Sequence, residues 1–148
     1  MLATDKKPLS EKRTKIFTMT ENTIHLNLKR KWFDMILSGD KTEEYRDIKP
    51  FYDKRFEPLF PTIIRNEVYY PIIDTITFSN GYAKDRPQFV VKIKEIEKNT
   101  GKTFWGAELG KRYYVFHLGE IIKAGRQGFH FNVTKEMPLE MIVESLKL

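Results

Sequence analysis

Between Gly39 and Asp47 the chain reads GDKTEEYRD, the stretch whose side chains are best suited to chemistry. From Thr42 onward the pattern alternates. A strand here would put Thr42, Glu44 and Arg46 on one face and Glu43, Tyr45 and Asp47 on the other. A carboxylate beside a guanidinium on one strand face is rarely buried unless the two are paired. Such a pair either sits inside a cleft as an ion pair or meets a polar ligand. Arg46 offers a planar fork to a phosphate or a base edge, and Glu44 can accept from an exocyclic amine. Lys41 reads in two ways. The like charge of Arg46 would lower its pKa toward that of a base or nucleophile, whereas Glu44 would hold it protonated as a phosphate anchor.

Other residues could extend such a site. Lys29 and Lys31 precede the motif and could flank a cleft mouth, following a phosphate backbone. Trp32 between them reads as core before it reads as a stacking platform. Tyr82, Lys84 and Arg86 occupy a loop after Gly81, where binding residues concentrate. Asn80 is either a ligand-contacting amide or, the stronger reading, part of an Asn-Gly turn. Trp105, in a glycine-flanked loop, could stack on a base. His25 and His117 read as structural. There are no cysteines, and the three histidines show no metal-ligand spacing, so neither metal nor cofactor is expected. Triad spacings and phosphate-binding glycine loops are missing as well.

The elements that must position these groups follow from periodicity. TIHLNL (Thr23 to Leu28) alternates as a strand, and KRKWFDMILS changes to helical spacing, with Trp32, Phe33, Ile36 and Leu37 on one face. Gly39 stands where a helix-ending glycine belongs. Ile48 to Pro61 predicts a short helix between Pro50 and Pro58, or an ordered loop. Ile72 to Phe78 predicts a strand closed by Asn80-Gly81, and QFVVKIKEIEKN predicts a long strand with one wet face. RYYVFHLGEIIKAG predicts another, bulged near Gly119. Leu139, Ile142, Val143 and Leu146 form a helical stripe, with Pro138 as a first-turn proline. Together these predict an α+β fold: mostly antiparallel strands in a small barrel or strongly twisted sheet, with flanking short helices.

At 148 residues, 41% hydrophobic and 31% charged, the chain fits one domain with an ordinary core. Residues 1–21 read as a flexible basic leader and 22–148 as the domain, including the C-terminal helix. No apolar run is long enough for a membrane span or resembles an export signal, so a cytoplasmic protein without membrane partners is expected. The net charge of +6 favours a polyanionic partner such as RNA.

The order strand, helix, GDKTEEYRD, strand ending in FSNG, long strand and YYVFHLGEII resembles the ASCH domain, a relative of the PUA domain. The family signature is a helix followed by Gly-x-Lys-Thr-x-Glu-x-Arg, matched here by Gly39, Lys41, Thr42, Glu44 and Arg46. Val115 to Gly119 resembles the family's closing strand. The resemblance covers about Ile24 to Ile122. It implies a PUA-like β-barrel whose cleft, floored by the Lys41–Arg46 strand, binds RNA or a nucleotide-like ligand; whether a protein partner adds specificity is left open by the sequence. It implies two alternatives as well: an amidohydrolase acting on acetylcytidine, whose catalytic lysine Lys41 matches, or a ribonuclease; if the chain is such an enzyme, Glu44 would serve beside Lys41 as general base or acid. In the amidohydrolases a threonine stands three residues after the lysine; that position is Glu44 here.

Overall fold

The computed structural model describes residues 22–147 and the backbone of Lys7–Pro8. In chain order the elements are β1 (Lys7–Pro8), β2 (Thr23–Leu28), α1 (Arg30–Ser38), β3 (Glu43–Asp47) and α2 (Pro50–Phe56). There follow β4 (Thr62–Ile64), β5 (Glu67–Tyr70), β6 (Thr75–Asn80), β7 (Pro87–Thr100), β8 (Arg112–Arg126), β9 (Phe129–Asn132) and α3 (Leu139–Leu146). Short 3-10 turns lie at Glu57–Leu59 and Thr103–Trp105. The main sheet runs β2-β6-β7-β8-β3, with β9 paired to β8. Only the β2–β6 ladder within it is parallel; the rest is antiparallel. A smaller sheet joins β1, β5 and β4.

The α+β class, the mostly antiparallel sheet and the short flanking helices are as expected. The ladders leave β2 and β3 as the ends of the main sheet and do not close it into a barrel. The Arg46 side chain links those two edges instead: from β3 it donates from its terminal nitrogen to the backbone carbonyl of Asn27 on β2 at 2.8 Å. No helix among the described residues is long and apolar enough to cross a membrane. The leader expected over residues 1–21 lies outside the described residues, apart from Lys7–Pro8, which pairs with Tyr69 and Tyr70.

One face of the main sheet carries the core. Leu26, Ile76, Phe78, Phe89, Val91, Tyr114 and Phe116 point into it. Helix α1 covers it with Phe33, Ile36 and Leu37, as the spacing required. Phe33 meets Phe89 edge-on at 4.8 Å. Helix α2 adds Phe56, packed on Tyr114 and Phe116, and α3 adds Ile142 and Leu146. Burial of these faces, more than helix propensity, holds such short helices.

The strand placed at Ile72–Phe78 begins later, at Thr75, and runs to Asn80, because its pairing with β2 and β7 sets the limits. Two hairpins escaped the sequence reading. One joins β4 to β5 through Arg65 and Asn66, both at positive φ (51° and 66°). The other joins β8 to β9 through Gln127-Gly128. The bulge expected near Gly119 is present. Val91 opposes Ile121 and Ile93 opposes Leu118, so β8 carries an extra residue there.

Candidate functional site

The site begins where α1 ends. Gly39 takes the left-handed conformation (φ +88°), and its N–H bonds back to Ile36. The N–H of Lys41 then bonds to the Met35 carbonyl at 3.0 Å. This tight return aims the Lys41 side chain at the edge of β3. There it is 2% exposed. Its ammonium donates to Glu44 Oε1 at 2.6 Å and to the Glu43 carbonyl at 2.5 Å. Because Leu118 N–H bonds to Thr42, the carbonyl of Glu43 faces the open edge, and Lys41 occupies what would be an unpaired acceptor. The rings of Trp32 and Tyr45 stand 5.4 and 5.3 Å from the ammonium.

Glu44 joins both cations. Its second oxygen accepts from Arg46 Nε at 3.0 Å, and Arg46 reaches on to Asn27 and to the Tyr52 hydroxyl at 3.4 Å. The alternation expected of this strand therefore holds. Glu44 and Arg46 share the inner face, while Glu43 accepts from the Tyr45 hydroxyl at 2.7 Å on the other. Burial draws the Lys41 pKa below the ordinary lysine value, opposed by the charge of Glu44. On the outer face His117 touches Glu97 at 2.6 Å and lies 3.6 Å from Glu43; its bond holds the Glu97 carboxyl below the usual range.

A cavity of about 530 Å³ opens between the end of α1, the β8 bulge and the segment after β9. Lys41 and Thr42 are in its wall with Ser38, Glu120, Thr134 and Lys135, over a floor that includes Val91, Leu118 and Ile121. That volume lies within the range of small-molecule sites. Glu120 stands beside the anticipated bulge, so a close reading of Gly119 could have found it. Thr134 and Lys135 arrive from far along the chain and carried no local signal.

The structure divides the other candidates. Lys31 lies over the Trp32 ring at 4.7 Å. A Cβ at Gly106 would approach Trp32 at 3.0 Å, so the loop bearing Trp105 packs beside it. Lys102 stands 5.8 Å from the Trp105 ring. Lys29 is exposed at the start of α1. The second group lies elsewhere. Asn80 donates to the Leu28 carbonyl, tying β6 to β2, and Tyr82 is 87% exposed. Lys84 is exposed, and Arg86 bonds to Ala83. Asn80 and Arg86 line a different cavity, of about 380 Å³, between α1 and α3.

No group of histidine and acidic side chains that could hold a metal occurs among the described residues. Searched against family models, curated proteins and solved structures, the chain finds no match.

Proposed function

We propose that the chain is an RNA- or modified-nucleoside-binding module of ASCH type, its curled sheet a variant of the PUA-like barrel. The observation that carries this reading is the cavity beside Lys41 and Thr42, walled by hydroxyls and floored by aliphatic side chains. Such a lining suits a planar, partly polar ring. The Lys41–Glu44–Arg46 network keeps the wall rigid, and Trp32, Lys31, Lys102 and Trp105 supply a stacking and cationic surface for the adjoining strand. A labelled single-stranded RNA, followed by fluorescence anisotropy, tests it. Affinity falls steeply as salt rises, and Lys31→Ala and Trp105→Ala each weaken binding. Absent or salt-insensitive binding overturns the reading.

The hydrolase alternative has one observation in its favour: burial lowers the Lys41 pKa, as a base or nucleophile requires. Against it, the ammonium is committed to Glu44 and the Glu43 carbonyl. Incubation with acetylcytidine should release no cytidine; release at a rate dependent on Lys41 would establish the enzyme.

A further inference from the structure

The face of the main sheet opposite the core holds a second cavity, of about 570 Å³. Register places its residues in rows across the strands. Thr23, Thr75 and Lys92 form one row, His25, Thr77, Val90 and Lys123 the next, and Ser79, Gln88 and His130 a third around Gly125. Gly125 is required there: its φ is +153°, and a Cβ would run into the Phe129 carbonyl of the crossing strand.

In the middle of a sheet, an apolar β-branched side chain packs at least cost. This face instead buries hydroxyls and an amide: Thr77 is 2% exposed and Gln88 1%. Each is satisfied. Gln88 donates to Ser79 Oγ and to Gln127 Oε1, both at 2.8 Å, and its own oxygen lies 2.9 Å from His130 Nε2. Thr23 and Thr77 share a hydrogen bond of 2.9 Å. Buried polar groups need such partners, and a satisfied network fixes side chains in one arrangement. Here it fixes Gln127 through its oxygen, which leaves the amide N–H groups of that exposed residue for a ligand. Around the rim stand Lys92, Lys123 and Asp74, with the ring of Phe129, which is 75% exposed. Lys123 opposes Val90 and Lys92 lies two residues beyond it on β7, so both lysines reach the rim of this one cavity. Neither has an ion-pair partner among the described residues.

We propose that this outer cavity is a second ligand site, separate from the one beside Lys41, and that it takes a nucleoside monophosphate. Lys92 and Lys123 hold the phosphate, Phe129 stacks on the base, and the Gln127 amide with the threonine hydroxyls bonds the base edge and ribose. This does not depend on the RNA-binding reading.

Adenosine 5′-monophosphate titrated into ¹⁵N-labelled protein tests it by NMR. The side-chain amide signals of Gln88 and Gln127 should move and saturate. A Lys92→Gln/Lys123→Gln variant, changed only at exposed positions, should bind about tenfold or more weakly, the loss expected when charge-assisted contacts disappear. Adenosine without its phosphate should show the same loss on the wild type, and Phe129→Ala should weaken both ligands. A short RNA with a 5′-phosphate, titrated in parallel, separates a strand terminus from a free nucleotide; saturation by either supports the site. Three results overturn it: no shift at either glutamine, undiminished binding by the double lysine variant, or shifts confined to Ser38, Thr42 and Glu120 of the first cavity.

Discussion

Glu44 is the residue on which the candidate site turns, because a single buried carboxylate separates two cations. Glu44→Ala would leave Lys41 buried beside Arg46 with no anion between them. Breaking a buried pair on one side typically costs about 3–5 kcal/mol, and urea denaturation should show a loss of that order. Exposed pairs such as Arg30–Asp34 should give almost nothing in the same assay. Tyrosine ionisation offers an independent check. Tyr114 donates to Asp53 and Glu57, and burial with these bonds raises its pKa; Tyr45, buried beside Glu43, is raised likewise. A raised pKa means that the stability from these hydroxyls is complete below the ordinary tyrosine value of 10.0 and is lost as pH climbs above it. Ultraviolet titration should therefore find that these two ionise only as the protein unfolds. Lys41 has the opposite sign: its depressed pKa makes stability rise as pH approaches 10.5. Lys41→Met should remove that rise. The pairing of Glu44 with Arg46 was legible from strand alternation alone. That Lys41 would turn inward to cap the carbonyl of an edge strand was not, because this depends on which neighbour β3 lacks.

Elements with strong local patterns were readable: β2, α1 with its glycine stop, β7 and the bulged β8. The β4–β5 hairpin was hidden because its turn uses Arg65-Asn66 rather than a glycine pair, and β4 lacks alternation. The β8–β9 hairpin was hidden for another reason. Its close approach at Gly125 is a tertiary fact, and glycine there reads locally as an ordinary break. That approach yields a sharp expectation. With φ at +153° and the Phe129 carbonyl 2.2 Å from any added Cβ, Gly125→Ala must push β9 away from β8. Loss of hydrogen-exchange protection over Phe129–Asn132 would reveal this; full protection would contradict it. Gly39→Ala meets no atom within 4 Å and strains only the backbone, so a milder cost of about 1 kcal/mol is expected.

Taken whole, the described residues form an open, curled sheet whose two ends are linked by the Arg46 side chain, with one cavity near the end of α1 and another on the outer face. A net charge of +6 attracts polyanions in general and does not by itself select a site. The central claim is narrower: the ligand lies in the cavity beside Lys41. Thr42 lets this be tested without disturbing the buried network, since it is exposed in the cavity wall. Thr42→Trp should fill the space while leaving Lys41, Glu44 and Arg46 in place. The decisive measurement is RNA anisotropy with this variant beside the wild type, each first shown to have the same unfolding midpoint. Binding reduced by about tenfold or more in the folded variant is the expected result, equivalent to roughly 1.4 kcal/mol or more of lost affinity. Binding equal to that of the wild type would contradict the account and place the RNA elsewhere on the molecule.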